Sequence, residues 1–193
     1  MRIVHPCSLL LLAVTVACSS ALTTSAPEVT EHGTYQVWYH GPEIEAELNY
    51  RWADGNLGDE WLVLRLSLAG AGGSSTTVER HAIRIRNPQG HTIALIDQDE
   101  FRGVYGNLHT AIDRAGALVG PSARFLRGRQ LRDRWFFAPP FGGLAFDSLY
   151  ASPMSVSSGP LLFRVSGGVQ PGRWVLMIDL EESVARIPFV LGE

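Results

Sequence analysis

The sequence contains no lysine, and all 16 of its basic residues are arginine. Without lysine, the protein cannot form a Schiff base through a lysine amine, and it cannot have the lysine of a P-loop. The 19 acidic side chains give a formal net charge of −3, so the overall electrostatic field does not favour a nucleic-acid partner. Charged residues make up only 18% of the chain and apolar residues 46%, which predicts a buried core instead of a mostly disordered chain.

Cysteine is also scarce, because only Cys7 and Cys18 occur. Cys7 lies in an N-terminal segment with one arginine, an apolar run from Leu9 to Val16 and a small residue before Cys18, which is typical of a secretory signal. The run is far shorter than the roughly 20 residues that a membrane-spanning helix needs. If Cys7 is removed with the signal, the mature chain has no cysteine pair for a disulfide or a cysteine-based metal site.

The residues Thr15-Val16-Ala17-Cys18 resemble the lipobox of bacterial lipoproteins. The resemblance covers only the leader, and Thr15 stands where that family prefers leucine. It implies cleavage before Cys18 and acylation of this residue, which leaves no free thiol. Ser19 and Ser20 follow in place of the aspartate that retains such proteins at the inner membrane, so the resemblance implies an outer-membrane lipoprotein facing the periplasm. The alternative is an ordinary secreted protein in which Cys18 is a leftover thiol.

The chain divides into three predicted segments. Residues 1–17 are a signal peptide, residues 18–33 are the lipidated Cys18 with a flexible tether, and residues 34–193 are a single β-rich domain. The tether prediction depends on short polar side chains and on Pro27, which disfavour regular structure. One domain fits a chain of 193 residues, because domains usually have about 100–200 residues.

Alternation of apolar and polar residues predicts antiparallel strands. From Glu43 to Trp52 the apolar side chains alternate with a polar face that includes Glu43, Glu45 and Glu47, as in a strand with one face in water. The same alternation recurs in residues 61–68, 81–86, 91–96, 173–180 and 184–191. The residues Asn87-Pro88-Gln89-Gly90 are typical of a hairpin turn, and Pro188 predicts an edge strand or a bulge because it lacks a backbone donor.

One segment has a helical period instead. Apolar residues from Phe101 to Ile112 recur at spacings of three and four, and Asp97 with Glu100 forms a capping-box pair, which predicts a docked helix over residues 98–115. Many strands with one embedded helix predict a mainly β fold, namely a two-sheet antiparallel sandwich of immunoglobulin-like type. A closed β-barrel is the alternative.

Motifs of known enzyme classes are missing from the sequence. We find no GxSxG, HExxH, SxxK, GxGxxG or Walker pattern, although a catalytic triad is defined by geometry and not by order. His81 and His91 flank one hairpin turn, where polar residues at strand ends are a simpler interpretation than metal ligands. We therefore predict no catalytic residue, no metal site and no cofactor.

Arginine is concentrated in one segment, RFLRGRQLRDRWFF. Five arginines and a single acid, Asp133, occur within its residues 124–134. Guanidinium groups bind phosphates and carboxylates bidentately, and aromatic residues follow directly. We predict that this segment binds an anion or a partner through Arg127, Arg129, Arg132 and Arg134. The alternative is a structural role, in which the arginines pair with the acidic face of residues 43–47.

The sequence as a whole predicts a lipid-anchored envelope protein with a non-enzymatic binding or structural domain. Its expected partners are the membrane, through the anchor, and an envelope protein or an anionic glycan or lipid. The first alternative is a lipid or lipoprotein carrier, which requires an apolar cavity. The second is a hydrolase, which requires a histidine beside a serine or a carboxylate.

Replacing Cys18 with serine should abolish acylation, because the thiol that accepts the first acyl chain is removed. The mass of the purified protein reports the acyl chains, and detergent partitioning reports the anchor. Two or more chains hold a protein stably on a bilayer, whereas one chain is marginal. The lipidation hypothesis is wrong if the Cys18→Ser protein still fractionates with membranes.

Overall fold

The computed structural model describes residues 27–117 and 120–193. The predicted signal peptide, Cys18 and most of the predicted tether lie outside these residues. The strands are β1 (Glu28–Glu31), β2 (Gln36–His40), β3 (Ile44–Asn49), β4 (Trp61–Gly70), β5 (Thr76–Glu79), β6 (Ile83–Arg86), β7 (Thr92–Ala94), β8 (Gln130–Arg132), β9 (Ser148–Ala151), β10 (Ser155–Arg164), β11 (Gly172–Asp179) and β12 (Val184–Leu191). The helices are α1 (Arg51–Asp54), α2 (Gln98–Ala117) and α3 (Ala123–Leu126).

The larger sheet has six strands in the order β1-β2-β3-β4-β10-β8. Neighbouring strands are antiparallel except β8, which pairs in parallel with β10. The long strands β4 and β10 form its centre, with Leu64 opposite Leu161. Both strands are buried along nearly their whole length, so both faces of this sheet are covered.

The smaller sheet has four antiparallel strands in the order β12-β11-β6-β7. The predicted hairpin is present, because β6 and β7 pair on either side of the turn at residues 87–90. Pro188 lies in β12, at the edge of this sheet, as its missing donor predicts. A third, two-stranded sheet pairs β5 with β9.

The core lies between the two larger sheets. Leu64 and Leu66 of β4, and Trp174 and Leu176 of β11, are completely buried in one continuous apolar cluster. The predicted mainly β sandwich with an embedded helix is therefore confirmed. The barrel alternative is not observed, because the strands of the described part of the chain form separate open sheets.

Helix α2 is present where the apolar spacing predicts it. The Asp97 carboxylate accepts a hydrogen bond from the Glu100 backbone N–H at 2.8 Å, as an N-terminal cap does. Phe101 and Ala115 are buried, and the apolar positions between them are half-buried. The helix packs against β4 and β10. No helix within residues 27–117 and 120–193 is long and apolar enough to cross a membrane.

The strands predicted over residues 81–86 and 91–96 are shorter in the structure, as β6 and β7, and two further boundaries differ by more. The alternation through Trp52 predicts a longer strand, but β3 ends at Asn49 and the chain turns into α1. Periodicity cannot show this end, because Tyr50 and Trp52 continue the alternation while contacting the core from a helical turn. The strand β1 begins at Glu28, so the folded domain includes residues assigned to the tether.

Candidate anion-binding site

The polar face of β3 is covered by protein and does not lie in water. Glu47 is only 3% exposed. Its carboxylate accepts hydrogen bonds from the Trp38 indole N–H at 2.8 Å and from the Ser122 backbone N–H at 2.9 Å, and the Ser122 hydroxyl donates a third. These three donors replace the water that a buried carboxylate loses. The prediction of a wet acidic face is therefore wrong at Glu47.

The short helix α3 provides the cover over this face. Ser122 caps the helix by accepting a hydrogen bond from the Phe125 N–H. Phe125 is 2% exposed and meets the Trp38 ring edge-on, with ring centroids 6.0 Å apart. Trp38, Phe125, Ala69 and Val156 form a second apolar cluster on the outer side of the six-stranded sheet. The first part of the arginine-rich segment is thus a structural cover.

Arg129 is held inside this cover. Its guanidinium forms an ion pair with the Glu45 carboxylate at 2.7 Å, and only 13% and 19% of the two side chains are exposed. The same guanidinium donates to the carbonyl oxygens of Pro153 at 3.1 Å and Phe125 at 3.2 Å. These contacts engage N–H donors of the Arg129 guanidinium within the fold. The structural role that the sequence left open therefore applies to this residue.

The other arginines of the segment are more accessible. The guanidinium of Arg124 lies 5.2 Å from the Trp38 ring centroid, and that of Arg134 lies 5.3 Å from the Phe146 ring centroid. Arg127 follows α3 in a left-handed conformation with φ of 41°, and Arg132 lies on the edge strand β8; both are exposed. The predicted partner-binding surface is reduced to Arg127, Arg132 and Arg134.

A second group of arginines lies on the outer face of the four-stranded sheet. Arg86 of β6, Arg173 of β11 and Arg186 of β12 line an open pocket of about 590 Å³. Val175 and Pro188 form its apolar floor, and the turn at residues 87–90 and Val29 of β1 form its rim. We call this site the three-arginine pocket.

Strand pairing explains why these three arginines meet. Val175 lies opposite Arg86 on one side and opposite Pro188 on the other. Arg173 precedes Val175 by two residues and Arg186 precedes Pro188 by two, so all five side chains project from the same face of the sheet. Side chains opposite or diagonal to each other on one face are within reach of long residues. Three guanidinium groups therefore surround one apolar residue.

The electrostatic environment of the three-arginine pocket is positive. The neighbouring Arg84 is neutralised by Asp179 in an ion pair at 2.5 Å. Among the ion pairs of the described residues, none includes Arg86, Arg173 or Arg186, and all three residues are exposed. Glu31 borders an adjoining depression together with Arg173, and no acid lines the three-arginine pocket itself within the described residues. The arrangement is suited to bind an anion with more than one acidic group.

The sequence offers only part of the signal for this pocket. Arg84 and Arg86 alternate with buried isoleucines, and Arg173 and Arg186 each occupy an outward position of an alternating strand. These positions are scattered over 100 residues of chain, however, and only the order β12-β11-β6 brings them together. The clustering of arginines along the sequence instead favours residues 124–134, a different segment that is partly buried.

The histidines of the described residues form no hydrogen bonds with one another. His81 lies in the 3₁₀ turn Arg80–Ala82, outside the ladder between β6 and β7, so it does not face His91. No hydrogen bond among the described residues joins a histidine to a serine or a carboxylate; His109, for example, contacts the Gly106 carbonyl oxygen and Thr110. No cluster of three metal-ligating side chains occurs in this part of the chain either.

Comparisons with protein-family models, with curated proteins and with solved structures each gave no match.

Replacing Arg129 with glutamine should destabilise the domain by about 2 kcal/mol, because the Glu45 carboxylate loses its partner. The cost is below the roughly 3–5 kcal/mol of a fully buried pair, since both side chains retain some contact with water. The matched control is the double variant Arg127→Gln/Arg132→Gln, which should change stability by less than about 0.5 kcal/mol. Denaturant unfolding measures both. Equal effects in the two proteins would contradict the structural role of Arg129.

Proposed function

We propose that this protein is a lipid-anchored component of the bacterial cell envelope that binds an anionic envelope partner without catalysis. Acylated Cys18 holds it at the outer membrane, and the β-sandwich faces the periplasm. The observation that supports binding is the three-arginine pocket, in which Arg86, Arg173 and Arg186 surround an apolar floor. The resemblance of residues 15–18 to a lipobox supports the anchor.

The chemistry of the pocket favours a particular kind of ligand. Each guanidinium can bind a phosphate or a carboxylate through two parallel hydrogen bonds, so three of them suit a ligand with several acidic groups. Val175 and Pro188 add a contact for a sugar ring or a hydrocarbon segment. In the envelope these features occur together in the phosphorylated sugars of lipopolysaccharide and in the carboxylates of peptidoglycan, and we favour the phosphorylated glycolipid because its charge density is higher.

The packed interior supports a binding surface over a lipid carrier. A carrier needs an apolar cavity wide enough for an acyl chain. The inward side chains of β4 and β11 are instead fully buried in one continuous apolar cluster. The three-arginine pocket lies on the outside of the sandwich and is open to solvent, which suits an exposed head group better than a sequestered chain.

A triple variant, Arg86→Gln/Arg173→Gln/Arg186→Gln, should weaken binding of purified lipopolysaccharide by at least about tenfold, equivalent to about 1.4 kcal/mol. Charge-assisted hydrogen bonds to three guanidinium groups are lost, and the remaining affinity should depend less on salt. The matched control removes three exposed arginines elsewhere, Arg51→Gln/Arg102→Gln/Arg114→Gln. Titration calorimetry at two ionic strengths measures the affinity of each protein.

The control variant distinguishes a site from general attraction by charge. Equal weakening in both triple variants would show that net charge, and not the three-arginine pocket, governs binding. Unchanged affinity in the pocket variant would remove the proposed site. A parallel titration with soluble peptidoglycan fragments tests the other source of acidic groups. If these fragments bind more tightly than lipopolysaccharide, and if their binding depends on the three-arginine pocket, peptidoglycan becomes the favoured ligand.

A further inference from the structure

The most apolar stretch of the folded domain is a loop that the three-arginine pocket does not involve. Residues 135–146, WFFAPPFGGLAF, contain no charged side chain, and the indole of Trp135 is their only polar side-chain group. Soluble loops normally carry polar residues because they run over the protein surface. We call residues 135–146 the apolar loop.

One end of the apolar loop is fixed to β10. Trp135 is 6% exposed, and its indole N–H donates to the Pro160 carbonyl oxygen at 2.6 Å. The indole ring lies directly over Gly159, where an added Cβ would be only 2.3 Å from the ring. The two ends of the loop also meet, because Trp135 bridges Ala145 and the Phe146 N–H donates to the Trp135 carbonyl oxygen at 3.0 Å.

The part of the apolar loop between Trp135 and the tip, residues 136–138, is fixed to α2. Phe136 is fully buried, and Phe137 stacks on Phe101 with ring centroids 4.7 Å apart. The Gln98 side-chain amide forms two hydrogen bonds with the backbone of Ala138, donating to its oxygen at 2.8 Å and accepting from its nitrogen at 3.1 Å. The core therefore holds the loop in one position.

The tip of the apolar loop, residues 139–144, lies entirely in solvent. Phe141 is fully exposed and Leu144 is 78% exposed. Pro139 and Pro140 have no backbone N–H, and the Gly142 N–H donates to the Pro139 carbonyl oxygen at 3.2 Å in a turn, which leaves three N–H donors in the tip without a partner among the described residues, those of Phe141, Gly143 and Leu144. A rigid base thus presents a projecting apolar tip with a small number of free polar groups.

We propose that this tip inserts into the interfacial region of the bilayer that carries the protein. The inference depends on the anchor of the proposed function, but not on the three-arginine pocket. A bilayer accepts projecting apolar side chains without a matching surface, provided that little unsatisfied backbone enters with them. A protein partner would need a complementary pocket for Phe141, and the tip has no polar side chain to align one.

Charge next to the apolar loop favours an anionic lipid surface. Arg132 and Arg134 precede the loop and are exposed, and neither takes part in an ion pair of the described residues. Of the neighbouring acids, Asp147 is paired with Arg80 at 2.7 Å, and Asp133 is exposed. Basic residues beside an apolar tip are typical of surfaces that bind anionic lipids.

The spacing between Cys18 and the folded domain is compatible with this contact. The nine residues 19–27 separate Cys18 from β1 and can span at most about 30 Å. The strands β1 and β8 are the two edges of the six-stranded sheet, and five strand spacings amount to about 24 Å. An anchor attached before β1 can therefore leave the β8 edge, from which the apolar loop follows, in contact with the same bilayer.

A fluorescent label at the tip tests the insertion in the full-length protein. Phe141→Cys carries an environment-sensitive fluorophore, and the protein is reconstituted into vesicles of phosphatidylethanolamine and phosphatidylglycerol. The matched control is Leu57→Cys, an exposed apolar residue in the turn before β4. We expect the label at position 141 to shift to the blue, to be quenched by lipids with a nitroxide on the acyl chain, and to resist aqueous iodide. The label at position 57 should do the opposite.

Other environments of the tip would give different fluorescence results. A tip covered by a second copy of the chain would resist iodide without quenching by the nitroxide lipid, and a tip in water would be quenched by iodide as position 57 is. Either result would overturn the proposal. The protein mass reports the acylation of Cys18 separately. If that residue is unmodified, the anchor fails, and the label in a Cys18→Ser background with added vesicles still decides whether the tip inserts.

Discussion

The central strands of the six-stranded sheet are buried on both faces, and this constraint determines how the rest of the chain is used. On the inner face, Leu64 of β4 and Leu161 of β10 belong to the apolar cluster that also contains Trp174 and Leu176 of the four-stranded sheet. On the outer face, Ala69 and Val156 are equally buried and need a separate cover. Helix α3 provides this cover through Phe125, and α2 packs against the same two central strands. Covering apolar surface in this way contributes about 25 cal/mol for each Å² removed from water.

The arginines of the described residues therefore fall into two groups, those bound within the fold and those exposed to a partner. The cover over the six-stranded sheet includes the arginine-rich segment, and Arg129 is therefore bound to Glu45 and to backbone carbonyl oxygens. The four-stranded sheet is covered only on its inner face, so outward residues of β6, β11 and β12 meet solvent. Long arginine side chains on that open face can bind a partner without disturbing the core. Binding and folding thus depend on different arginines of one chain.

Local pattern was sufficient to predict the layers but not the site. A period of two identifies β6, β11 and β12 because each has one face in the core, and Pro188 predicts that β12 is an edge strand. The period also identifies β4, although both faces of that strand are buried. Alternation could not predict that Glu47 is buried, because Trp38 and Ser122, which donate hydrogen bonds to its carboxylate, come from other parts of the chain. The three-arginine pocket likewise depends on strand order, which alternation does not specify.

Covalent modification of arginine by a dicarbonyl reagent, measured at each residue by mass spectrometry with and without lipopolysaccharide, would show directly which arginines bind the ligand. We expect the ligand to protect Arg86, Arg173 and Arg186. Arg129 should react little in either state, because its guanidinium is bound within the fold, and Arg127 should react equally in both. Protection of Arg127, with the three pocket arginines unchanged, would contradict the three-arginine pocket as the binding site.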